Sequence, residues 1–233
     1  MRIVKTISEE PEGVNEEEDD SGDEDDDESD GGRKAKKHTF AALLILLFLS
    51  LHDALTQAAE SFASGVASGI TARSAASSAL TDHHTRAAAL GTARAAAGTH
   101  SSAPPAKEAV TPADAALGKE AAKAQLSYFD GFLDAIAQGK YEGSETGIAA
   151  RAALYSGALL TTATAAWLAA LPQNTRLTWR AEPGACLDCQ ARNGKTYLIA
   201  ELPGIPADGS TRCGSRCRCF CETSDGETSF EFS

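Results

Sequence analysis

Six cysteines lie close together near the end of this 233-residue chain. They follow the pattern Cys-x2-Cys, then 23 residues, then Cys-x3-Cys-x-Cys-x-Cys. Two thiolates that are two residues apart can bind one ion from a single turn, and a second pair brought back by a hairpin completes a tetrahedron. The spacing therefore predicts a closed, structural metal site. The six residues are Cys186, Cys189, Cys213, Cys217, Cys219 and Cys221.

Zinc is the metal that this pattern favours, because closed sites of four thiolates in small modules are typical zinc sites. One ion needs four of the six thiolates, so the spacing alone leaves the full ligand set open. Disulfide pairing is the main alternative, and an iron-sulfur centre is disfavoured because the spacing differs from ferredoxin runs. We expect Cys221 to be spare. The five candidate ligands are Cys186, Cys189, Cys213, Cys217 and Cys219.

The sequence contains no arrangement that predicts catalysis. All five histidines lie far upstream of the cysteines, and the adjacent pair His83 and His84 sits in an Asp/Thr-rich stretch typical of an exposed turn. There is no glycine-rich phosphate loop, no nucleophile elbow and no pair of carboxylates in an apolar frame. We therefore expect a protein that is not an enzyme.

Three arginines interleave with the C-terminal cysteines: Arg212, Arg216 and Arg218. One interpretation is that they balance the negative charge of the thiolates. The other is that they contact nucleic-acid phosphates, in which case binding to DNA should depend steeply on salt. DNA is thus one possible partner of this segment.

Two short strands are predicted to position the first cysteine pair. Residues 176–180 alternate polar and apolar, and residues 195–199 read Lys-Thr-Tyr-Leu-Ile, as expected for half-buried strands. Between them, Asn193 and Gly194 form a dipeptide suited to a tight turn with positive φ. We therefore expect a hairpin that carries a cysteine knuckle.

The remainder of the chain is predicted to be helical. Thr111 is a suitable N-cap, with Pro112 at the first helical position and Asp114 in the first turn. Gly139 is a natural end for that helix. A further helix is expected from about Glu145 to Leu171. Apolar residues recur at helical spacing in both, and they are Leu126, Phe129, Leu133 and Ile136, then Ile148, Ala152, Tyr155 and Leu159.

The fold class predicted is mainly α: a helical body, a small C-terminal β-hairpin cysteine module resembling a zinc ribbon, and a disordered acidic N-terminal tail. Residues 39–99 are rich in Ala, Ser and Thr, so each helix there must gain stability by packing on others. The predicted segments are a tail (1–38), an Ala-rich helical region (39–99), a linker (100–111), a helical hairpin (112–174), the cysteine module (175–222) and a flexible C-terminal tail (223–233).

The acidic tail decides how the net charge of −12 is interpreted. Fifteen of the 33 acidic residues fall between Glu9 and Asp30, where there is no Lys or Arg. Such a segment buries too little apolar surface to fold, and without it the body is mildly basic. The tail either keeps the protein soluble or mimics nucleic-acid charge towards a basic partner.

An apolar run from Phe40 to Leu51 follows a basic stretch. The run starts too late for a standard secretory leader and is shorter than the roughly 20 residues of a membrane-spanning helix. We expect it to form a buried or oligomer-forming helix, and the alternative is a membrane anchor. The lack of a standard leader also favours a reducing compartment.

The C-terminal block resembles the end of the phage head morphogenesis, or minor head, proteins. The resemblance covers roughly residues 145–222, including the preceding helix, although Cys213, Cys221 and the N-terminal tail depart from the pattern. It is carried by a tryptophan strand, a Cys-x2-Cys knuckle, a glycine turn, a Leu-Pro segment and a closing Cys-Arg-Cys. These are Trp179-Arg180, Cys186-Leu187-Asp188-Cys189, Asn193-Gly194-Lys195, Glu201-Leu202-Pro203, Pro206-x-x-Gly209 and Arg216-Cys217-Arg218-Cys219.

This resemblance implies a minor capsid component that acts near the portal in head assembly or DNA packaging. Its partners would be the portal or the major capsid protein, and its location the virion or the host cytoplasm. It also supports Cys186, Cys189, Cys217 and Cys219 as the structural cluster. Two alternatives remain: a membrane-associated protein that uses the Phe40–Leu51 run, and a nucleic-acid-binding protein that uses the arginines of its zinc module.

Overall fold

The computed structural model describes residues 28–97, 110–214 and 217–229, with side chains from residue 42 onward. The elements in chain order are α1 (Glu28–Ala63), α2 (Gly69–Ala97), α3 (Pro112–Ala137), α4 (Glu145–Ser156), α5 (Ala158–Ala170), β1 (Arg176–Arg180), α6 (Leu187–Arg192), β2 (Thr196–Leu198) and β3 (Phe220–Thr223). The predicted fold class is confirmed: a helical body precedes a small antiparallel sheet and a cysteine cluster.

Helix α1 begins at Glu28, well before the predicted boundary of the acidic tail at residue 38. Acidic residues are favoured in the first turn of a helix, and the Lys and Ala residues that follow are good helix formers. The boundary was therefore placed too late. The predicted disorder of residues 1–27 and most of the 100–111 linker lie outside the described residues.

Helix α2 is the centre of the body, because α1, α3 and α5 all pack around it. Two glycines allow these close approaches. A Cβ on Gly91 would lie 2.9 Å from the Cβ of Ala166 in α5, and a Cβ on Gly118 of α3 would lie 2.5 Å from the backbone of Thr85. The two halves of the predicted 112–174 hairpin thus meet mainly through α2, and small residues set the helix spacing.

The start of α3 confirms the predicted cap. The Asp114 backbone N–H donates to the Thr111 hydroxyl at 3.1 Å, and the Thr111 N–H donates to the Asp114 carboxylate at 2.9 Å. The Thr92 hydroxyl of α2 donates to the same carboxylate at 2.6 Å. This buried carboxylate therefore serves both the helix cap, which is worth about 1 kcal/mol, and the contact between α2 and α3.

The predicted apolar stripes form the core. Phe129 packs edge to face on both Phe132 and Tyr155, with ring centroids 5.8 Å apart in each pair. The predicted helix from Glu145 is divided at Gly157, where the Leu160 N–H bonds to the Gly157 carbonyl in a tighter turn. Residues of both helices nevertheless share one buried face, and they are Ile148, Ala152, Tyr155 and Leu159.

The prediction that His83 and His84 lie in an exposed turn is wrong. Both lie within α2 and are buried. Adjacent residues on a helix point about 100° apart, so His83 faces α1, where its Nε2 lies 3.1 Å from the Ser50 hydroxyl, and His84 faces α5. The polar composition suggested a turn, but packing on two sides keeps the segment helical.

Helix α1 keeps part of the Phe40–Leu51 run exposed. Leu44, Leu47 and Leu51 are buried, whereas Ile45, Leu46 and Leu49 remain on the surface. By length and composition alone, Ala42–Ala63 and Glu145–Ala170 could each cross a membrane. The Glu145–Ala170 segment is 61% buried within the protein and the Ala42–Ala63 segment only 33%. The Ala42–Ala63 segment is therefore the one that leaves apolar surface exposed.

The sheet has the strand order β2-β1-β3, with both pairs antiparallel. The first two strands confirm the predicted hairpin, and the third was not predicted as a strand. The segment 223–229 is also ordered, contrary to the predicted flexible tail at 223–233. Gly226 at φ +76° reverses the chain, and the Ser229 N–H donates to the Cys221 carbonyl at 2.7 Å, which buries Ser229.

Candidate metal centre

The β1–β2 hairpin holds the first two cysteines through the short helix α6. Gly194, at φ +73°, makes the predicted turn, and its N–H donates to the Trp179 carbonyl at 2.8 Å. The Arg192 guanidinium at the end of α6 lies over the buried Trp179 ring, 4.9 Å from its centroid. This stacking fixes α6 against β1, and with it the side chains that α6 carries.

Cys186 is the N-cap residue of α6, and Cys189 lies within its first turn. The Gln190 N–H donates to the Cys186 carbonyl at 2.9 Å, which closes that turn. Cys-x2-Cys therefore places both thiols on the same side of a single helical turn. Cys189 is fully buried and Cys186 is partly exposed.

The second cysteine group reaches α6 through a loop that is held by the Asp188 side chain and by a backbone turn. The Asp188 carboxylate accepts the Arg212 backbone N–H at 2.9 Å, so the loop is tied directly beside the first cysteine pair. Thr211 is buried, and its carbonyl accepts the Gly214 N–H at 2.8 Å in a turn where Gly214 has φ +57°. Sequence patterns did not identify Thr211, because this loop has no periodicity to expose a buried position.

These elements bring together all five cysteines that were predicted as candidate ligands. The sulfur atoms form two groups of three, and within each group all atoms lie within 4.8 Å of one another. Cys189 belongs to both groups, and its Sγ lies 3.9 Å from that of Cys213 and 3.5 Å from that of Cys217. The groups are Cys186, Cys189 and Cys213, then Cys189, Cys217 and Cys219.

The donor set fits a tetrahedral metal ion. Zn–S bonds of about 2.3 Å require sulfur atoms about 3.8 Å apart, and the two sulfur separations around Cys189 lie on either side of that value. Disulfide sulfurs would be about 2.05 Å apart. All six cysteines are free thiols in the structure. The cluster can therefore hold a metal ion of the kind that prefers thiolates.

The thiols cannot all ionise together without a cation. A hydrogen bond with Cys213 lowers the pKa of Cys186 to about 6, and the same contact raises the pKa of Cys213. Burial, with hydrogen bonds from Cys217 and Cys219, raises the pKa of Cys189. A divalent cation reverses this, because a coordinating thiol loses its proton. The cluster thus has a strong electrostatic reason to bind one.

Cys221 lies outside both sulfur groups. It is buried on β3, where it pairs in register with Trp179 of β1. Burial, together with the charges of Cys219 and Cys217, raises its pKa to about 12. Its role as a spare thiol remains a prediction.

The arginines near the cluster differ in their surroundings. Arg212 is exposed but already pairs with Asp188, with Nε and the carboxylate oxygen 3.6 Å apart. Arg218 is exposed, and Arg216 lies outside the described residues. The Asp188 contact ties Arg212 to α6. Charge balance around the thiolates and phosphate binding by the three arginines both remain predictions.

Comparison with known proteins identifies no relative of this chain. A scan against family models, a search of curated proteins and a search of solved structures each found no match to the chain.

Proposed function

We propose that the cysteine cluster binds one Zn²⁺ ion as a structural site. The proposal rests on one observation: thiols from two distant stretches of chain converge around Cys189 at separations that suit four-thiolate coordination. Cys186 and Cys189 supply two ligands, and two of Cys213, Cys217 and Cys219 supply the others. A site with four protein ligands has no open position for substrate, so the ion holds the module together.

Metal analysis tests the site directly. Protein purified under reducing conditions should contain about one zinc per chain by elemental analysis. The double variant Cys186→Ser with Cys189→Ser should lose it. Cys221→Ser is the matched control. Its thiol belongs to the same C-terminal run of cysteines but lies outside both sulfur groups, so this variant should keep the metal. Metal-free protein with these sulfurs joined as cystines would rule out the zinc site.

We further propose that the chain is a non-enzymatic assembly protein of a phage head, working in the virion or the host cytoplasm. The order of motifs in the C-terminal block supports this, since it is the order found in minor head proteins. The helical body offers an exposed apolar face on α1 for other subunits, and the zinc module gives the chain a rigid end. The portal or the major capsid protein would be the partner.

Gene neighbourhood and particle composition test this role. A terminase or portal gene beside this one supports the proposal, and a transporter or toxin operon counts against it. The decisive experiment is mass spectrometry of purified particles of the phage whose genome encodes this chain. The chain should be present at low copy number, and its deletion should yield heads that are incomplete or lack DNA. Normal infectious particles without the chain would exclude the role.

A second candidate function is membrane association through α1. It is favoured by the exposed apolar residues Ile45, Leu46 and Leu49 on a helix with little burial. The test is flotation of the purified chain with liposomes of anionic lipid. Leu46→Gln with Leu49→Gln should abolish flotation, and Leu187→Gln, an equally exposed leucine on α6, should not change it. If the native chain does not float, membrane association through α1 is excluded.

A further inference from the structure

A cavity of about 440 Å³ lies where the helical body meets the cysteine module. Its wall is formed by α2, α3, α4 and α5 on one side and by residues 207–209 of the module on the other. Cavities of this size commonly hold small molecules. Its polar groups show which chemistry would be recognised there.

His84 forms part of the wall and carries an unused hydrogen-bonding atom. Its Nδ1 lies 2.8 Å from the Thr162 hydroxyl, and that hydroxyl donates to the Ala158 carbonyl at 3.2 Å. The Thr162 oxygen must then accept from His84, which places the ring proton on Nδ1. Nε2 is therefore an acceptor, and it is buried with no partner. An unmatched buried acceptor is unfavourable, so a ligand that donates a hydrogen bond to it would gain affinity.

The burial of His84 also keeps the imidazole neutral. Desolvation, with a smaller contribution from His83, lowers its pKa to about 4. Nε2 consequently remains an acceptor at neutral pH. The group that complements it is an N–H or O–H donor.

Arg151 supplies a positive charge to the same wall. Its guanidinium lies 5.7 Å from the centroid of the Tyr155 ring, and it forms no ion pair with the acidic residues that the structure describes. A guanidinium presents paired donors that match a carboxylate. An anionic group on the occupant would therefore find its partner here.

The module contributes the opposite wall through a tightly fixed loop. Ala207 adopts φ +68°, which is unusual for a residue with a side chain, and its carbonyl accepts the Thr161 hydroxyl at 3.1 Å. The Asp208 carboxylate accepts the backbone N–H groups of Ile205 and Ser210, both at 2.7 Å. Asp208 is thus fixed as a second acceptor, suited to an amino group.

We propose that this cavity binds a small carboxylic acid that carries an amino or hydroxyl group. The carboxylate pairs with Arg151, and the amino or hydroxyl group donates to His84 Nε2, with Asp208 as a further acceptor for an amino group. Leu154 and the alanines of α3 and α5 contact the apolar part of the molecule. Because the cavity spans both parts of the chain, the ligand would join the body to the module.

Calorimetry and thermal shift on the full, metal-loaded chain test this with the common L-amino acids and their 2-hydroxy acid analogues as probes. At least one should bind with a Kd below about 10 mM. Two truncated analogues of the best binder, one without the carboxylate and one without the amino or hydroxyl group, should each bind about tenfold more weakly, as expected for one lost polar contact.

Variants assign the contacts. Arg151→Gln, at a partly exposed position, should weaken binding about tenfold or more. His84→Asn retains a donor to Thr162 but removes Nε2, and should also weaken binding. Arg73→Gln is the control, because Arg73 pairs with Asp130 away from this cavity. Binding that survives the first two substitutions, or no binding by any probe, would overturn the proposal and leave the cavity as a water site.

Discussion

The helical body and the cysteine module differ in how they offset the entropy of folding. The body buries long apolar and aromatic side chains such as Phe129, Phe132 and Trp167 between five helices. The module has three strands of three to five residues, and its fully buried large side chains are Leu177 and Trp179. Hydrophobic burial can sustain the first but not the second. The cysteine cluster therefore takes the place of the hydrophobic core that the module lacks.

The largest expected effect comes from removing the proposed zinc ion, which should affect the module and not the body. A structural zinc site contributes on the order of 10 kcal/mol of folding free energy to a module of this kind. Treatment with a strong chelator should therefore unfold residues 175–229 and leave the helices intact. Far-ultraviolet circular dichroism should stay almost unchanged, while the fluorescence of Trp179, read in a Trp167→Phe background, should shift to the red.

Readdition of zinc should restore the fluorescence, and the Cys186→Ser with Cys189→Ser variant should resemble the chelated protein before any treatment. A chelated chain that kept Trp179 buried would show that the module folds on its own packing, and the comparison between the regions would fail.

Acid should affect the body through His84. The unfolded side chain takes up its proton near pH 6.5, whereas the folded one does so near pH 4. The folded state therefore binds fewer protons between these values, and the stability present above pH 6.5 falls as the pH is lowered towards 4. Complete loss of this contribution amounts to about 3 kcal/mol.

Urea unfolding of the chelated chain, followed by the helical signal from pH 7 to pH 4, measures this effect. Other groups titrate in the same range, so the native chain is compared with His84→Asn, which cannot titrate. The variant should lose less stability across the range. Equal pH dependence in both proteins would mean that His84 takes up its proton freely in the folded state.

A change in the spacing of the helices should have a smaller effect on stability. It should destabilise the body and leave the module unchanged. In Gly91→Ala, the new Cβ would collide with the Ala163 carbonyl oxygen and lie 2.9 Å from the backbone nitrogen of Trp167. We expect a loss of about 2 kcal/mol in unfolding free energy. Gly131→Ala is the matched control, because its Cβ meets nothing within 4 Å, and it should stabilise α3 by about 0.5–1 kcal/mol.

Thermal unfolding distinguishes the two variants, because the melting temperature should fall in Gly91→Ala and rise in Gly131→Ala. Zinc content should be the same in both. If Gly91→Ala were as stable as the native chain, α2 and α5 would have room to separate, and close helix approach would not be what holds the body.

Local patterns in the sequence were sufficient to predict much of the fold. The Thr111 cap, the apolar stripes of α3 and α4, the first two strands and the convergence of the cysteines all depend on spacing within a short segment or on residue chemistry. Helical periodicity around His84 also carried a usable indication, since its neighbours at helical spacing are apolar or small. They are Leu80, Ala87, Ala88 and Gly91, all buried.

Pairings between distant segments could not be predicted. Strand β3 is four residues long and contains Cys221 and Glu222, so its composition does not suggest a strand, and its place beside β1 depends on the tertiary fold. The burial of Ser229 depends on the same pairing. Whether His84 faces a cavity depends on the position of Ala207, which is 123 residues away. Such contacts follow from packing, which composition does not reveal.

The smallest effect concerns one of the contacts that join the helical body to the cysteine module. Arg94, near the end of α2, donates from Nε to the Thr228 carbonyl at 2.9 Å and from its guanidinium to the Thr228 hydroxyl at 3.2 Å. In Arg94→Gln these bonds are lost, at a cost of about 1 kcal/mol because the site is only partly buried. Hydrogen exchange should rise at residues 221–229 while the core of α2 stays protected. Thr228→Val, which removes the side-chain bond but leaves the carbonyl, should produce a weaker form of the same change. If exchange rose across the whole body instead, the module would be part of the body's cooperative unit, and the two regions would not be separable.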